Sequence, residues 1–334
     1  MLRKILFLSW IALMMCSCSK TSRDVNVSDI DVNLDIKRFD KELFEADPSR
    51  IGDLIPVLKE KYGRFFQIFN HRITGIGSDE NPSYSEYLKA FVTDYLNFQI
   101  YQRTTEVFPD MDFIRTELED AFKHYKHYFP DMQIPEIITY VSGINQSVIS
   151  DSLLLGIGLD DYLGVDEPLY RQLGIYQYLA EVMYKERIAT DCMRLWAMTE
   201  FPYNDSVNNL VSNMIYEGML MYFADRMIPD RPDTLKWGFT ASGMSFCRDN
   251  EKQMWAYLIE NRLLFNSERF TIDKFTSEGP FTKDFSSESP GRAAVWIGYR
   301  IVHSYMDHHK EIGLDDLMKE RDYQRILNES FYNP

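Results

Sequence analysis

The sequence is poor in cysteine and histidine and lacks the common signatures of metal, phosphate and nucleophile sites. It has 4 Cys and 6 His among 334 residues. Two of the cysteines lie within the first 18 residues, so neither a disulfide framework nor a paired-cysteine zinc module can be assigned. No H-E-x-x-H, G-x-S-x-G, G-x-x-x-x-G-K-[ST] or G-x-G-x-x-G motif is present. A metal site would have to use scattered histidines and carboxylates.

Positive charge is scarce relative to negative charge. The 36 Lys and Arg are outnumbered by 51 Asp and Glu, which gives a formal net charge of −15. Such a field repels phosphate backbones, so nucleic acid is not expected as a partner. Hydrophobic residues make up 45% of the chain, which excludes a disordered protein and is enough for a sizeable core.

Long hydrophobic runs are also missing, and the longest uncharged one lies at the N-terminus. Arg3 and Lys4 precede an uncharged run over residues 5–15. A spanning helix needs about 20 apolar residues, so this run is too short to cross a membrane. A cationic start, an apolar centre and small residues at the end are typical of a secretory signal.

The end of this segment predicts a lipid anchor. Small Ser17 before Cys18 resembles the bacterial lipobox, in which the cysteine is acylated and becomes the first mature residue. Cys16 is the alternative, although a bulky residue precedes it. We therefore predict a signal peptide over residues 1–17 and a lipidated polar tether over 18–33, so that the membrane partner is reached through the lipid.

The remaining chain, residues 34–334, predicts one mostly helical α+β domain. A capping box at Ser83 and Glu86 opens one long amphipathic helix through Phe98, and a second helix runs from about Asp110 to Pro130. Short β-branched and leucine-rich runs between 136 and 160 predict a small mixed sheet, with essentially no strands elsewhere. Further helical patterns cover 168–198, 205–227, 249–264, 290–308 and 314–328.

The histidines offer weak candidates for metal binding. His124 and His127 have the i,i+3 spacing that would let both rings reach one ion, but they lie opposite the apolar stripe of their helix. We interpret them as a solvated face. His303 is expected in the core, and His308 and His309 near a helix end can interact with its last carbonyls.

Two other groups have structural interpretations. Asp160, Asp161 and Asp166 miss the spacing of a calcium loop and are expected to form an acidic surface loop. Cys192 and Cys247 could form a disulfide in an oxidising compartment or remain two free buried thiols.

Seven segments stand out together: residues 36–44, 62–66, 155–164, 214–230, 238–265, 279–282 and 288–306. These segments resemble the gliding motility lipoprotein GldB family of Bacteroidetes. The resemblance covers essentially the whole mature chain and agrees with a lipidated N-terminus. It implies an envelope-anchored component associated with gliding motility and, through that apparatus, with protein secretion.

That family is itself similar to predicted zinc-dependent peptidases, in which an H-E-x-x-H helix is followed by a helix carrying E-G-x-x-x-Y/F. Glu217 and Gly218 match the second element. Residues 185–198, where the first should fall, contain no His, and Asp191 is the only carboxylate near the ligand position. The resemblance thus implies a degenerate zincin-like scaffold that has lost its metal, with no cofactor.

Three residues of this relic region are candidates for binding. Glu217 lies at the edge of an apolar helix face, where Arg194 or Arg292 could hold it by a salt link. Arg292 could bond to neighbouring carbonyls, the favoured reading, or bind a partner's anion. Asp191 would be the single carboxylate left from the lost metal site. Gly218, on the apolar face, is expected to permit close approach of another element.

We therefore expect a non-catalytic envelope lipoprotein that acts as a binding or assembly component with other envelope proteins. The alternatives are an atypical hydrolase or peptidase and a lipoprotein that binds a small solute in the former active-site cleft. The first acidic residue, Asp24, follows Cys18 by six positions and comes after Lys20 and Arg23. Surface sorting is thought to need earlier acidic residues, so the periplasmic side is favoured.

Overall fold

The computed structural model describes residues 25–334. The predicted signal peptide and lipidation at Cys18 or Cys16 lie outside the described residues. Burial begins within the segment predicted as a tether, since Val32 is only 7% exposed. The packed body therefore starts a few residues before the first strand.

Helices dominate the described chain, as expected. In the N-terminal half the α-helices are Phe39–Phe44 (α1), Ile51–Ile68 (α2), Tyr84–Thr93 (α3), Tyr95–Val107 (α4) and Asp112–Tyr128 (α5). In the C-terminal half they are Pro168–Gln172 (α6), Gln177–Ala180 (α7), Ile188–Glu200 (α8), Leu210–Met227 (α9), Asp233–Trp237 (α10), Ala241–Asp249 (α11), Glu251–Glu260 (α12), Arg269–Thr276 (α13), Ala293–His308 (α14), Leu314–Lys319 (α15) and Tyr323–Glu329 (α16).

The predicted small mixed sheet is confirmed, with one additional strand. Its strands are Ile36–Arg38 (β1), Glu136–Tyr140 (β2), Val148–Asp151 (β3) and Leu154–Gly158 (β4). Their order is β1-β2-β4-β3, with β1, β2 and β4 parallel and β3 antiparallel to β4. The expectation that strands occur essentially only between 136 and 160 was wrong, because β1 pairs with β2 across about a hundred residues.

The single long helix predicted from residue 84 to 98 was also wrong. The chain turns at Asp94, whose ψ of 132° is extended, and α3 and α4 meet there. The Asp94 side chain accepts a hydrogen bond from the Asn97 amide and so caps α4. The Ser83 side chain makes no capping hydrogen bond. The second predicted helix is confirmed as α5.

Helix α9 forms the centre of the body. Most of its residues are buried, and it packs against α14, α8 and α5. At the crossing with α14, Gly218 faces Gly298. A Cβ on Gly218 would lie 2.3 Å from the Gly298 carbonyl carbon, and one on Gly298 would lie 1.7 Å from the Met214 oxygen. The close approach predicted at Gly218 is confirmed.

Candidate functional site

Asp191, one of the three sequence candidates, is bound by an arginine. It lies in the first turn of α8, where a carboxylate is favoured by the helix dipole. Arg187 Nη2 is 2.6 Å from Asp191 Oδ1, and the Tyr162 hydroxyl donates to Oδ2 at 3.0 Å. Arg187 also donates through Nη1 to the main-chain oxygens of Leu235 and Lys236, at 2.5 and 3.0 Å. The guanidinium thus ties Asp191 to the end of α10.

Glu217 is also bound by an arginine. Arg194 Nη2 donates to Glu217 Oε2 at 2.9 Å, so the expected salt link forms with one of the two partners considered. Both side chains are about one-fifth exposed. Since Arg187, Asp191 and Arg194 are spaced at four and three residues, they lie along one face of α8. From that face, Arg194 reaches Glu217 on the central helix α9, while Arg187 reaches the carbonyls of α10.

Arg292, the third candidate, precedes α14 in a left-handed conformation with φ of 47°. Its side chain is only 3% exposed. Nη2 donates to the Trp237 oxygen at 2.7 Å, which is the carbonyl bonding favoured from the sequence, and the guanidinium lies 5.5 Å from the centre of the Phe239 ring. Nε is 2.8 Å from Glu278 Oε1 but not in hydrogen-bonding geometry.

Arg187, Arg194 and Arg292 form one group, here called the arginine cluster. The pKa of Arg292 is lowered to about 10, chiefly by burial and also by the charges of Arg194 and Arg187, against the opposing effect of Glu278 and Glu217. Within the described residues, the buried Nε of Arg187, Nε of Arg194 and Nη1 of Arg292 have no hydrogen-bond partner. Buried donors are rarely left unpaired, so the guanidinium of Arg292, which lies against Glu278, retains donors that a bound group could use.

A cavity of about 220 Å³ opens beside this cluster. Its wall includes Gly238, Phe239, Glu278 and Gly291. Gly238 has φ of 68°, and a Cβ there would lie 3.0 Å from Arg187 Nη1, so the absent side chain keeps the wall thin over the guanidinium. Arg187 therefore lies behind the cavity wall at Gly238, and Arg292 lies against the wall residues Phe239 and Glu278.

The predicted acidic surface loop was wrong for Asp160 and Asp161, although Asp166 is exposed as expected. Asp160 is fully buried and Asp161 is 9% exposed. Asp160 accepts hydrogen bonds from the main-chain amides of Ser142 and Ile144, at 2.9 and 2.6 Å. Burial raises the pKa of Asp160 to about 6, and burial beside Asp160 raises that of Asp161 well above its usual range. These hydrogen bonds hold the loop that follows β2 in place.

The structure also places the histidines and cysteines that were considered from the sequence. The predicted solvated face is confirmed at His127, which is exposed, but was wrong at His124, which is only 4% exposed and whose Nδ1 lies 2.9 Å from the Asp120 oxygen. His303 is half-buried rather than in the core, with Nδ1 2.9 Å from Asp307. Cys192 and Cys247 are free and buried, so the disulfide alternative is not realised.

Between residues 25 and 334, no group of three His, Cys, Asp or Glu is placed to hold a metal ion. Sequence reasoning found Asp191, Glu217 and Arg292 but missed Arg187 and Glu278. Arg187 could have been found, because it precedes Asp191 by four residues, the spacing of a helical ion pair. No local sequence pattern marks Glu278, because its contact with Arg292 depends on how the loop after α13 folds.

The fold and the site define a mostly helical α+β protein in which arginines bind the carboxylates of Asp191 and Glu217. A family model described as "Gliding motility protein GldB" matches residues 20–334, and the chain belongs to this family. It is a gliding-motility-related lipoprotein family, which indicates the cell envelope. No curated protein and no solved structure matches the chain. None of the helices within residues 25–334 is both long and apolar enough to cross a membrane.

Proposed function

We propose that the protein is a non-catalytic envelope lipoprotein that serves as a binding or assembly component of the gliding and secretion machinery. Its fold is that of a peptidase scaffold that has lost its metal. The lipid is carried on Cys18, and the body faces the periplasm. The arginine cluster, not a metal, organises the relic site.

One observation carries this proposal: the carboxylates that would have to bind a metal are each bound by an arginine. Arg194 neutralises Glu217 and Arg187 neutralises Asp191. A cation at either carboxylate would have to displace a guanidinium and would then lie beside its positive charge. Catalytic zinc also needs about three protein ligands, usually with at least two nitrogens, and residues 185–198 supply no His.

Metal analysis and a peptidase assay test the absence of catalysis. The protein is purified without chelators, its zinc content is measured, and peptide hydrolysis is followed before and after zinc is added. We expect less than about a tenth of an equivalent of zinc and no hydrolysis. Stoichiometric zinc together with hydrolysis abolished by Glu217→Gln would overturn the proposal in favour of the hydrolase alternative.

Membrane fractionation tests the anchor. Cys18→Ser should leave the protein unprocessed or release it from the membrane fraction, because one lipidated cysteine supplies the anchoring. Cys16→Ser is the matched control and should fractionate like the wild type. Acylation that persists in Cys18→Ser and is lost in Cys16→Ser would assign the lipid to Cys16.

Crosslinking in intact cells tests the binding role and the orientation together. A deletion strain should lose gliding or secretion where the organism has them, and crosslinking should capture envelope proteins on the periplasmic side. Digestion of the protein by protease added to whole cells would contradict the periplasmic orientation.

A further inference from the structure

We propose that the arginine cluster and the cavity beside it bind a carboxylate of a peptide segment in a partner protein, in the place now taken by Glu278. This inference rests on the proposed binding function and names the chemical group recognised. It assigns Glu278 as an internal substitute for the ligand. Glu278 occupies the site in the absence of a partner, and a partner's carboxylate takes its place on binding.

The charges of the cluster balance only while Glu278 is bound. Its three guanidinium groups are balanced by the carboxylates of Asp191, Glu217 and Glu278. Asp191 and Glu217 are about one-fifth exposed, on helices α8 and α9, whereas the Glu278 side chain is 57% exposed. Glu278 follows the end of α13 and can move away without disturbing a helix. Removing it would leave three cations facing two anions.

The donors of Arg292 are incompletely used while Glu278 is bound. Nη1 is buried without a hydrogen bond, and Nε lies near Glu278 in poor geometry. A guanidinium binds a carboxylate best through two parallel N–H groups. A left-handed φ at a residue other than glycine is also strained, and such strain is typical of functional sites. Arg292 is thus fixed in position while some of its N–H donors remain unused.

The surroundings favour a carboxylate over a phosphate. The cavity of about 220 Å³ is large enough for an acidic side chain or a chain terminus. Its wall also includes the exposed carboxylates of Glu181 and Glu288, which would repel a doubly charged phosphate more than a singly charged carboxylate. Phe239, under the Arg292 guanidinium, adds an apolar surface for the rest of a peptide.

Anion rescue tests the site with the full-length protein in detergent and EDTA, so that a bound metal cannot contribute. Glu278→Ala should lower Tm, and 100 mM sodium acetate should restore it by about 2 °C or more relative to sodium chloride at the same ionic strength. Glu288→Ala is the matched control, since its carboxylate lines the same cavity without pairing to an arginine, and it should show no acetate-specific rise. A rise of equal size in both variants, or none in Glu278→Ala, would overturn the proposal.

Peptide binding then identifies the source of the carboxylate. Acetyl-Gly-Glu-Gly-amide carries a side-chain carboxylate, and acetyl-Gly-Gly-Gly carries a terminal one. Either should bind Glu278→Ala about tenfold more tightly than the wild type, because Glu278 no longer competes from within the chain. The tighter peptide shows whether a side chain or a terminus is preferred. Tighter binding of inorganic phosphate than of both peptides would overturn the carboxylate assignment.

This test is independent of the catalytic question. Zinc-dependent hydrolysis with normal acetate rescue would overturn the proposed function but leave an anion site. Absence of rescue with no zinc would remove the inference and leave the non-catalytic role standing.

Discussion

Two neighbouring residues of helix α9 face opposite kinds of environment. Gly218 meets α14 at a contact between backbones, with no charged group involved, whereas Glu217 meets α8 through the charge of Arg194. The glycine contact has no spare space, so its residues are fixed by packing alone. The charged contact leaves buried donors unused. The difference separates the part of α9 that stabilises the fold from the part that can bind.

The largest expected effect is at the glycine crossing. Gly298→Ala would place a Cβ 1.7 Å from the Met214 oxygen, so α9 and α14 must move apart. We expect a loss of more than about 3 kcal/mol in the free energy of unfolding, measured by urea denaturation. Gly52→Ala in α2 is the control, because nothing lies within 4 Å of its Cβ, and it should be neutral or stabilising. Equal effects at both sites would contradict the backbone contact.

The next largest effect is expected in the arginine cluster. Arg187→Met would leave Asp191 without its arginine and the Leu235 and Lys236 carbonyls without that donor. We expect a loss of about 2 kcal/mol, reduced from the cost of a wholly buried pair because Asp191 is partly exposed. Arg64→Met is the control: Arg64 pairs with Asp151 at the surface and should cost less than about 1 kcal/mol. A difference below 0.5 kcal/mol would mean that the cluster does not stabilise the fold.

Asp160 is a buried carboxylate whose hydrogen-bond donors are main-chain amides, in contrast to the carboxylates bound by the arginine cluster. The pKa of Asp160 is raised from 3.8 to about 6, so the folded protein binds a proton more tightly than the unfolded chain. This contribution to stability is full below pH 3.8 and is lost as pH rises through 6. Between pH 7 and pH 5, the free energy of unfolding should therefore gain about 1 kcal/mol from this group.

Denaturation at the two pH values, compared between variants, tests this contribution. Asp160→Asn should lack its share of the gain. Asp161→Asn should also reduce the total gain, because a carboxyl whose pKa burial raises well above the usual range likewise binds its proton more tightly in the folded protein. Retention of the full gain in Asp160→Asn would assign it to other groups, such as Asp161 and Glu200, whose pKa values burial also raises.

The smallest effect is expected at Glu217 itself. Glu217→Gln keeps an oxygen that can accept from Arg194 and loses only the charge of a partly exposed pair. We expect a stability loss below about 1 kcal/mol and an unchanged envelope phenotype. Glu260→Gln, an exposed charge on α12, is the control and should have no effect. Loss of the phenotype in a stable Glu217→Gln protein would make Glu217 part of the working site.

The sequence predicted features that depend on local pattern. Helix α5, the strands after residue 136 and the close helix contact at Gly218 were each predicted from the spacing of residues within one short segment. Strand β1 was missed because three residues pair with a distant strand and carry no periodic signal. Asp160 was misread because an acidic residue is usually exposed, and nothing local shows that the Ser142 and Ile144 amides will satisfy it.

The early burial of Val32 sets a limit on where the body can work. Val32 lies 14 positions after Cys18, and a fully extended chain of that length spans at most about 50 Å. A body of this size has a diameter of about 50 Å. With lipid at Cys18, the near side of the body can stand no more than about 50 Å from the membrane, and its far side no more than about 100 Å. The proposed carboxylate-bearing partner would therefore have to extend to within about 100 Å of the membrane to reach the arginine cluster.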